Sequence, residues 1–126
     1  MQRDLVAFLW DIDMAAQDIA SYIHGREYSD YLNDSMLRAA VERKFITIGE
    51  AFAYALRIYP NLPNEIPRVR DVIAFRSRVA HEYMLMDNAT VWVIATRDLP
   101  VLHEEVVALL GKLDSPPSEP TPPTQP

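Results

Sequence analysis

The chain has no cysteine, which excludes disulfides, thiolate metal sites and cysteine nucleophiles together. A reducing cytoplasm is the natural setting for it. It also lacks a long apolar run. Leu5 to Trp10 is cut off by Asp11 and Asp13, too short for a signal segment or a membrane span, so a soluble, cytoplasmic protein without membrane association is expected. Excess positive charge is missing too. Twelve Lys and Arg against eighteen Asp and Glu give −6, which argues against broad, non-specific wrapping of nucleic acid. A local basic site is still allowed, because Arg68, Arg70, Arg76 and Arg78 stand against Asp71 alone in one short segment. Finally, no stretch alternates apolar and polar residues between turn signals, so strands are not expected.

What is present is helical periodicity in a chain of 126 residues, 49% of them apolar, the size of one ordinary domain. Leu5, Leu9, Ile12, Ala16, Ile19 and Ile23 recur in steps of four and three, one face of an amphipathic helix. Gly25 is a plausible stop for it. A longer helix starts near Asn33, Asp34 or Ser35 and carries Leu37, Val41, Phe45, Ile48, Phe52, Ala55 and Tyr59 before Pro60 ends it. Residues 61–67 read as a loop, with Pro67 suited to the first turn of a third helix through Val69, Val72, Ile73, Phe75, Val79 and Ala80. Asn88 can cap a short fourth helix, and Pro100 opens a fifth. The expected fold is therefore all-α, an antiparallel bundle of about five helices over residues 1–113. From Asp114 to Pro126, six of thirteen residues are proline, so this part should be a disordered, extended tail.

The segment Arg76-Ser77-Arg78-Val79-Ala80-His81-Glu82-Tyr83 is the informative one. Arg76 falls in step with Val69, Val72 and Val79, which puts a permanently charged group on the apolar stripe. A guanidinium placed there needs a carboxylate, a carbonyl cluster, a subunit boundary or a phosphate. His81 lies five residues on, about 7.5 Å along the axis and roughly 140° around it. One copy of the pair cannot readily grip a single phosphate, whereas two copies across a two-fold axis can line one cleft, so a homodimer is expected. An Arg and a His near a helix end also serve as caps or ion pairs, and Tyr83 taken alone suits a core or interface aromatic. His24 and His103 have no second ligand four residues away and read as surface or capping residues, so no metal site is expected. Asp11 and Asp13 point to different faces and read as solvated. Gly49, isolated within a helix, suits close helix packing, and Glu42 and Arg43 suit pairing along a helix face.

Over residues 4–113 the chain resembles the HEPN toxins of HEPN/MNT toxin–antitoxin pairs, the HepT-like ribonucleases. The resemblance rests on Val41-Glu-Arg43 with Ile48-Gly-Glu-Ala51, the proline-rich turn, Arg76-x4-His81-x-Tyr83, Val91-Trp92 and Leu99-Pro100. It implies a HEPN-type bundle and a metal-independent endoribonuclease that needs no cofactor, with a composite site at a homodimer interface. By the same resemblance His81 would act as general acid or base on the ribose 2′-hydroxyl and leaving oxygen, with Arg76 on the phosphate. Ser77, Arg78 and Arg70 would contact RNA or phosphate. The cognate MNT-type nucleotidyltransferase antitoxin would neutralise the toxin in a type VII-like manner, in a higher hetero-oligomer or by AMPylating Tyr83. Where the family commonly carries Asn, Asp or His after the arginine, this chain has Ser77, which reaches less far. Two alternatives stay open: a non-catalytic HEPN subunit that partners a minimal nucleotidyltransferase, and a structural helical dimer in which Arg76 and His81 pair with Glu50 or Glu82.

Overall fold

Leu5, Leu9, Ile12, Ala16 and Ile19 are all buried, so the expected stripe of the first helix faces the core. The computed structural model describes residues 2–81 and 87–114. The expectations for Tyr83 and for the proline-rich stretch 115–126 lie outside those residues. Helix α1 (Gln2–Ile23) stops before Gly25, whose φ of 74° is the left-handed conformation that glycine adopts without a Cβ penalty. A short α2 (Tyr28–Leu32) follows. Its start is closed by the Glu27 N–H donating to the Asp30 carboxylate at 2.8 Å.

Helix α3 (Ser35–Ile58) is capped by Asp34, which accepts from the Leu37 N–H at 3.0 Å. It buries Leu37, Val41, Phe45, Ile48, Phe52 and Ala55, the expected face. Phe8 stacks on Tyr54 while Asp18 pairs with Lys44, so α1 and α3 run antiparallel. The link expected as plain loop contains a one-turn helix, α4 (Leu62–Glu65), with Leu62 and Ile66 buried. Pro63 lies within its first turn, where a missing N–H costs nothing. Helix α5 (Val69–His81) packs against α3, with Phe75 edge-on to Phe45 at 5.2 Å between centroids.

The last two expected helices form one rod. Asp87, not Asn88, caps α6 (Asn88–Val93), accepting from the Ala89 N–H at 3.0 Å. A π-helical turn over Ile94–Asp98 leads directly into α7 (Leu99–Asp114). Pro100 thus lies within a continuous helix instead of opening a separate one. Its ring would meet the carbonyl four residues back, and the wider turn, in which the Leu99 N–H reaches Ile94 O, relieves that crowding. Asp13 meets His103 while Ala16, Ala20 and Ile23 face Ala95, Thr96 and Leu99, so α1 is also antiparallel to α7. The architecture is all-α, with no strand among the described residues. No helix described is long and apolar enough to cross a membrane.

Trp92 covers the α2 end of the bundle, 5.3 Å from the ring of buried Tyr31. Burial raises the pKa of the Tyr31 phenol, with the Glu42 carboxylate adding to the shift. Burial also raises Glu42, and the Arg38 guanidinium opposes that shift. Among the described residues neither Glu42 nor Arg43 forms an ion pair, although pairing along the helix face was expected for both.

Candidate functional site

Val69 and Val79 are buried and Val72 is half-buried, so the stripe of α5 carries Arg76 inward as its spacing predicted. The stem of Arg76 lies across Gly49 of α3. A Cβ on that glycine would fall on Cβ and Cγ of Arg76 and stand 3.5 Å from its Cα. Helix α3 therefore has glycine at this position because another helix brings an arginine stem against its backbone. Beyond the stem, the Arg76 Nε is buried without a hydrogen-bond partner. Among the described residues no ion pair takes Arg76, and Glu50, an expected partner, makes no ion pair with it.

The guanidinium end opens into a groove between α3 and α5 of about 550 Å³, lined also by Glu50, Ala53, Tyr54, Arg57 and Ile73. An unpartnered buried donor beside an open groove is costly unless something fills it. A phosphate oxygen is the matching acceptor.

The other expected site residues are placed less uniformly. His81 is the last described residue of α5, five positions after Arg76. Arg70 and Arg78 are exposed. Ser77 donates its hydroxyl to the Ile73 carbonyl at 3.4 Å, one turn back in its own helix. Arg68, counted in the basic segment by sequence, reaches Asp98 at 3.7 Å across to the π turn. That pair, with Phe45, Ile48 and Leu99, lines a separate, smaller cavity of about 250 Å³. Among the described residues no group of three or more His, Asp or Glu is arranged to hold a metal ion.

A second polar cluster corrects the sequence reading. Asp13, expected to be solvated, is buried, and His103, expected at the surface, is its partner: the Nε2–H donates to Asp13 Oδ1 at 2.6 Å. The Gln17 amide donates to the same oxygen at 3.1 Å. The signal was available in the spacing. Asp13 stands four residues after Leu9 and three before Ala16, and His103 four after Leu99 and three before Val106, so both lie on buried faces.

The family model described as "Ribonuclease HepT-like" matches residues 12–109. The chain belongs to that family. It is similar to a Methanocaldococcus jannaschii protein named "Putative RNase MJ1380", 32% identical over 107 residues, or 83% of this chain and 95% of the relative. A second protein of that organism, "Putative RNase MJ1216", is 27% identical over 115 residues, 90% of this chain and 93% of the relative. "Probable ribonuclease HepT" of Thermococcus cleftensis is 29% identical over 102 residues, 81% and 92% respectively. No solved structure matches the chain. In this HepT-like chain, then, the matched region takes in Gly49, Arg76 and His81 together with the groove between α3 and α5.

Proposed function

We propose that this HepT-like chain is a metal-independent endoribonuclease, the toxin of a HEPN/MNT pair, with Arg76 and His81 as its catalytic residues. The observation that carries this reading is Arg76 itself: held against Gly49, its Nε buried and unpartnered, beside a groove. Family membership supplies the substrate class, since the relatives are named for RNA cleavage.

In this reading the imidazole of His81 takes the proton of a ribose 2′-hydroxyl, and the freed oxygen attacks the adjacent phosphorus. The bond to the 5′-oxygen breaks, and a protonated imidazole returns a proton to that oxygen. The products are a 2′,3′-cyclic phosphate and a 5′-hydroxyl. Arg76 binds the phosphate and stabilises the charge that grows on its oxygens. The rise and turn of a helix separate the two residues of one copy, so a homodimer with two Arg76/His81 pairs around one cleft completes the site. Arg70 and Arg78 serve as outlying phosphate contacts, with Ser77 beside them.

The partner is an MNT-type nucleotidyltransferase antitoxin that binds the dimer in a hetero-oligomer and transfers AMP to Tyr83. Each adduct brings bulk and negative charge to an RNA site. One observation favours a second reading. The Ser77 hydroxyl is engaged with Ile73, which suits a binding subunit that uses Arg76 only as an anion clamp.

Mapping RNA ends after incubation with the purified chain tests the proposal. Cyclic-phosphate and 5′-hydroxyl ends, lost in His81→Ala, support cleavage; binding without new ends supports the clamp. Co-expression with the nucleotidyltransferase should add mass in AMP steps to the wild type and none to Tyr83→Phe. A strictly monomeric active enzyme would exclude the composite site.

A further inference from the structure

The groove beside Arg76 holds a second guanidinium that the catalytic reading does not use. Arg57 of α3 lies with its Cζ 4.8 Å from the centroid of the Tyr54 ring. Tyr54 in turn stacks on Phe8 of α1, with 5.6 Å between centroids and 12° between planes. The ring that carries Arg57 is thus anchored to a different helix, although Tyr54 is itself 51% exposed. Such a column orients a long, entropy-rich side chain before any ligand arrives. It does so with no carboxylate: among the described residues no ion pair takes Arg57.

Tyr54, Arg57 and Arg76 line the same groove, whose volume of about 550 Å³ falls within the range of ligand sites and exceeds what one phosphate fills. The chain as a whole carries −6, so two guanidiniums facing one groove oppose the general trend of its surface. Among the described residues, Glu50 is the one carboxylate in the groove lining.

We propose that Arg57, held on Tyr54, is a second phosphate contact for the RNA strand, adjoining the phosphate bound by Arg76. It is a positioning residue: it fixes the register of the strand and takes no part in proton transfer. This inference rests on the ribonuclease reading, and it adds that the groove between α3 and α5 is the path of the strand beside the cleavage point.

The test uses the full chain in a His81→Ala background, so that binding is read without cleavage, and a fluorescein-labelled, mixed-sequence single-stranded RNA as probe. Arg57→Gln should weaken binding about ten-fold at about 0.1 M salt and flatten the dependence of log K on log salt by roughly 0.7, one phosphate contact. Tyr54→Leu leaves the charge but removes its support, so binding should weaken by a smaller factor with the slope unchanged. In the cleaving enzyme Arg57→Gln should raise KM with kcat within about twofold. Arg97→Gln, on the π turn, is the charge-matched control and should leave the slope alone. If Arg57→Gln binds with the parent's affinity and slope while the wild type cleaves, this inference falls and the ribonuclease reading stands. An equal loss in Arg97→Gln would reduce the effect to bulk charge and also overturn it. If the parent binds no RNA and the wild type makes no cuts, both fall together.

Discussion

Two of the contacts between helices of this bundle place polar groups out of water, and they are finished differently. Where α1 meets α7, the buried carboxylate of Asp13 takes one hydrogen bond from His103 and another from Gln17. Where α3 meets α5, Arg76 is pressed onto Gly49, its Nε is buried without a partner, and its end faces a groove with Arg57 and Tyr54. The first contact is complete within the chain. In the second, the buried Nε has no acceptor among the described residues. Burying a polar group is tolerated when its hydrogen bonds are made and is costly when they are not, so the closed contact reads as structure and the open one as a binding place.

Substitutions can break this contrast if it is wrong. The largest effect expected is on cleavage by Arg76→Ala, a fall of about 10²–10³ in rate, the usual loss when a preorganised donor to transition-state charge is removed. Its thermal melt should stay cooperative and close to that of the wild type, because no internal hydrogen bond of Arg76 Nε is lost. Unfolding of this variant, or retained cleavage, would put the α3–α5 contact in the same structural class as the α1–α7 one.

Gly49→Ala comes next. A mid-helix Gly→Ala exchange ordinarily gains about 1 kcal/mol in helix propensity, but here the new methyl collides with the Arg76 stem. Overpacking of this kind costs about 1–3 kcal/mol, so the net effect should be a lower midpoint in denaturant titration together with reduced cleavage. A stabilised, fully active Gly49→Ala would show that the two helices do not approach so closely.

His103→Ala sharpens the other side. It takes one of two donors from the buried Asp13 carboxylate and should cost about 1–2 kcal/mol of stability, read by the same titration. Cleavage per folded molecule should be unchanged. The double variant with Asp13→Asn should lose less than the separate losses added, since the two residues act on each other.

The smallest effect concerns Glu42. Its folded pKa is raised by burial, so the native state holds the proton more tightly than the unfolded chain does. Its favourable contribution is complete below the unfolded carboxylate value and is lost as pH climbs through the raised folded value. Glu42→Gln should therefore be slightly more stable than wild type at neutral pH, by a few tenths of a kcal/mol after allowance for solvent screening, and the gap should close on acidification. A gap that widens in acid would reverse the sign and show that Arg38 outweighs burial.

Local spacing was enough to place the long helices α1, α3 and α5, their buried faces and Arg76 on one of those faces. Steps of three and four residues decide which side chains share a face, and that rule needs no knowledge of the rest of the chain. The core residues of α1 and α3 and the inward place of Arg76 were legible for this reason, whereas the cap of α3 was narrowed only to Asn33, Asp34 or Ser35 before Asp34 took it. The tertiary structure alone decided which faces meet. Asp13 and His103 are 90 positions apart, and local spacing could say that each is buried but not that each is the other's partner. The same holds for Arg68 drawn away to Asp98 and for the ring of Tyr54 clamped by Phe8. Each depends on how two distant segments approach in space, and backbone periodicity carries no information about that distance.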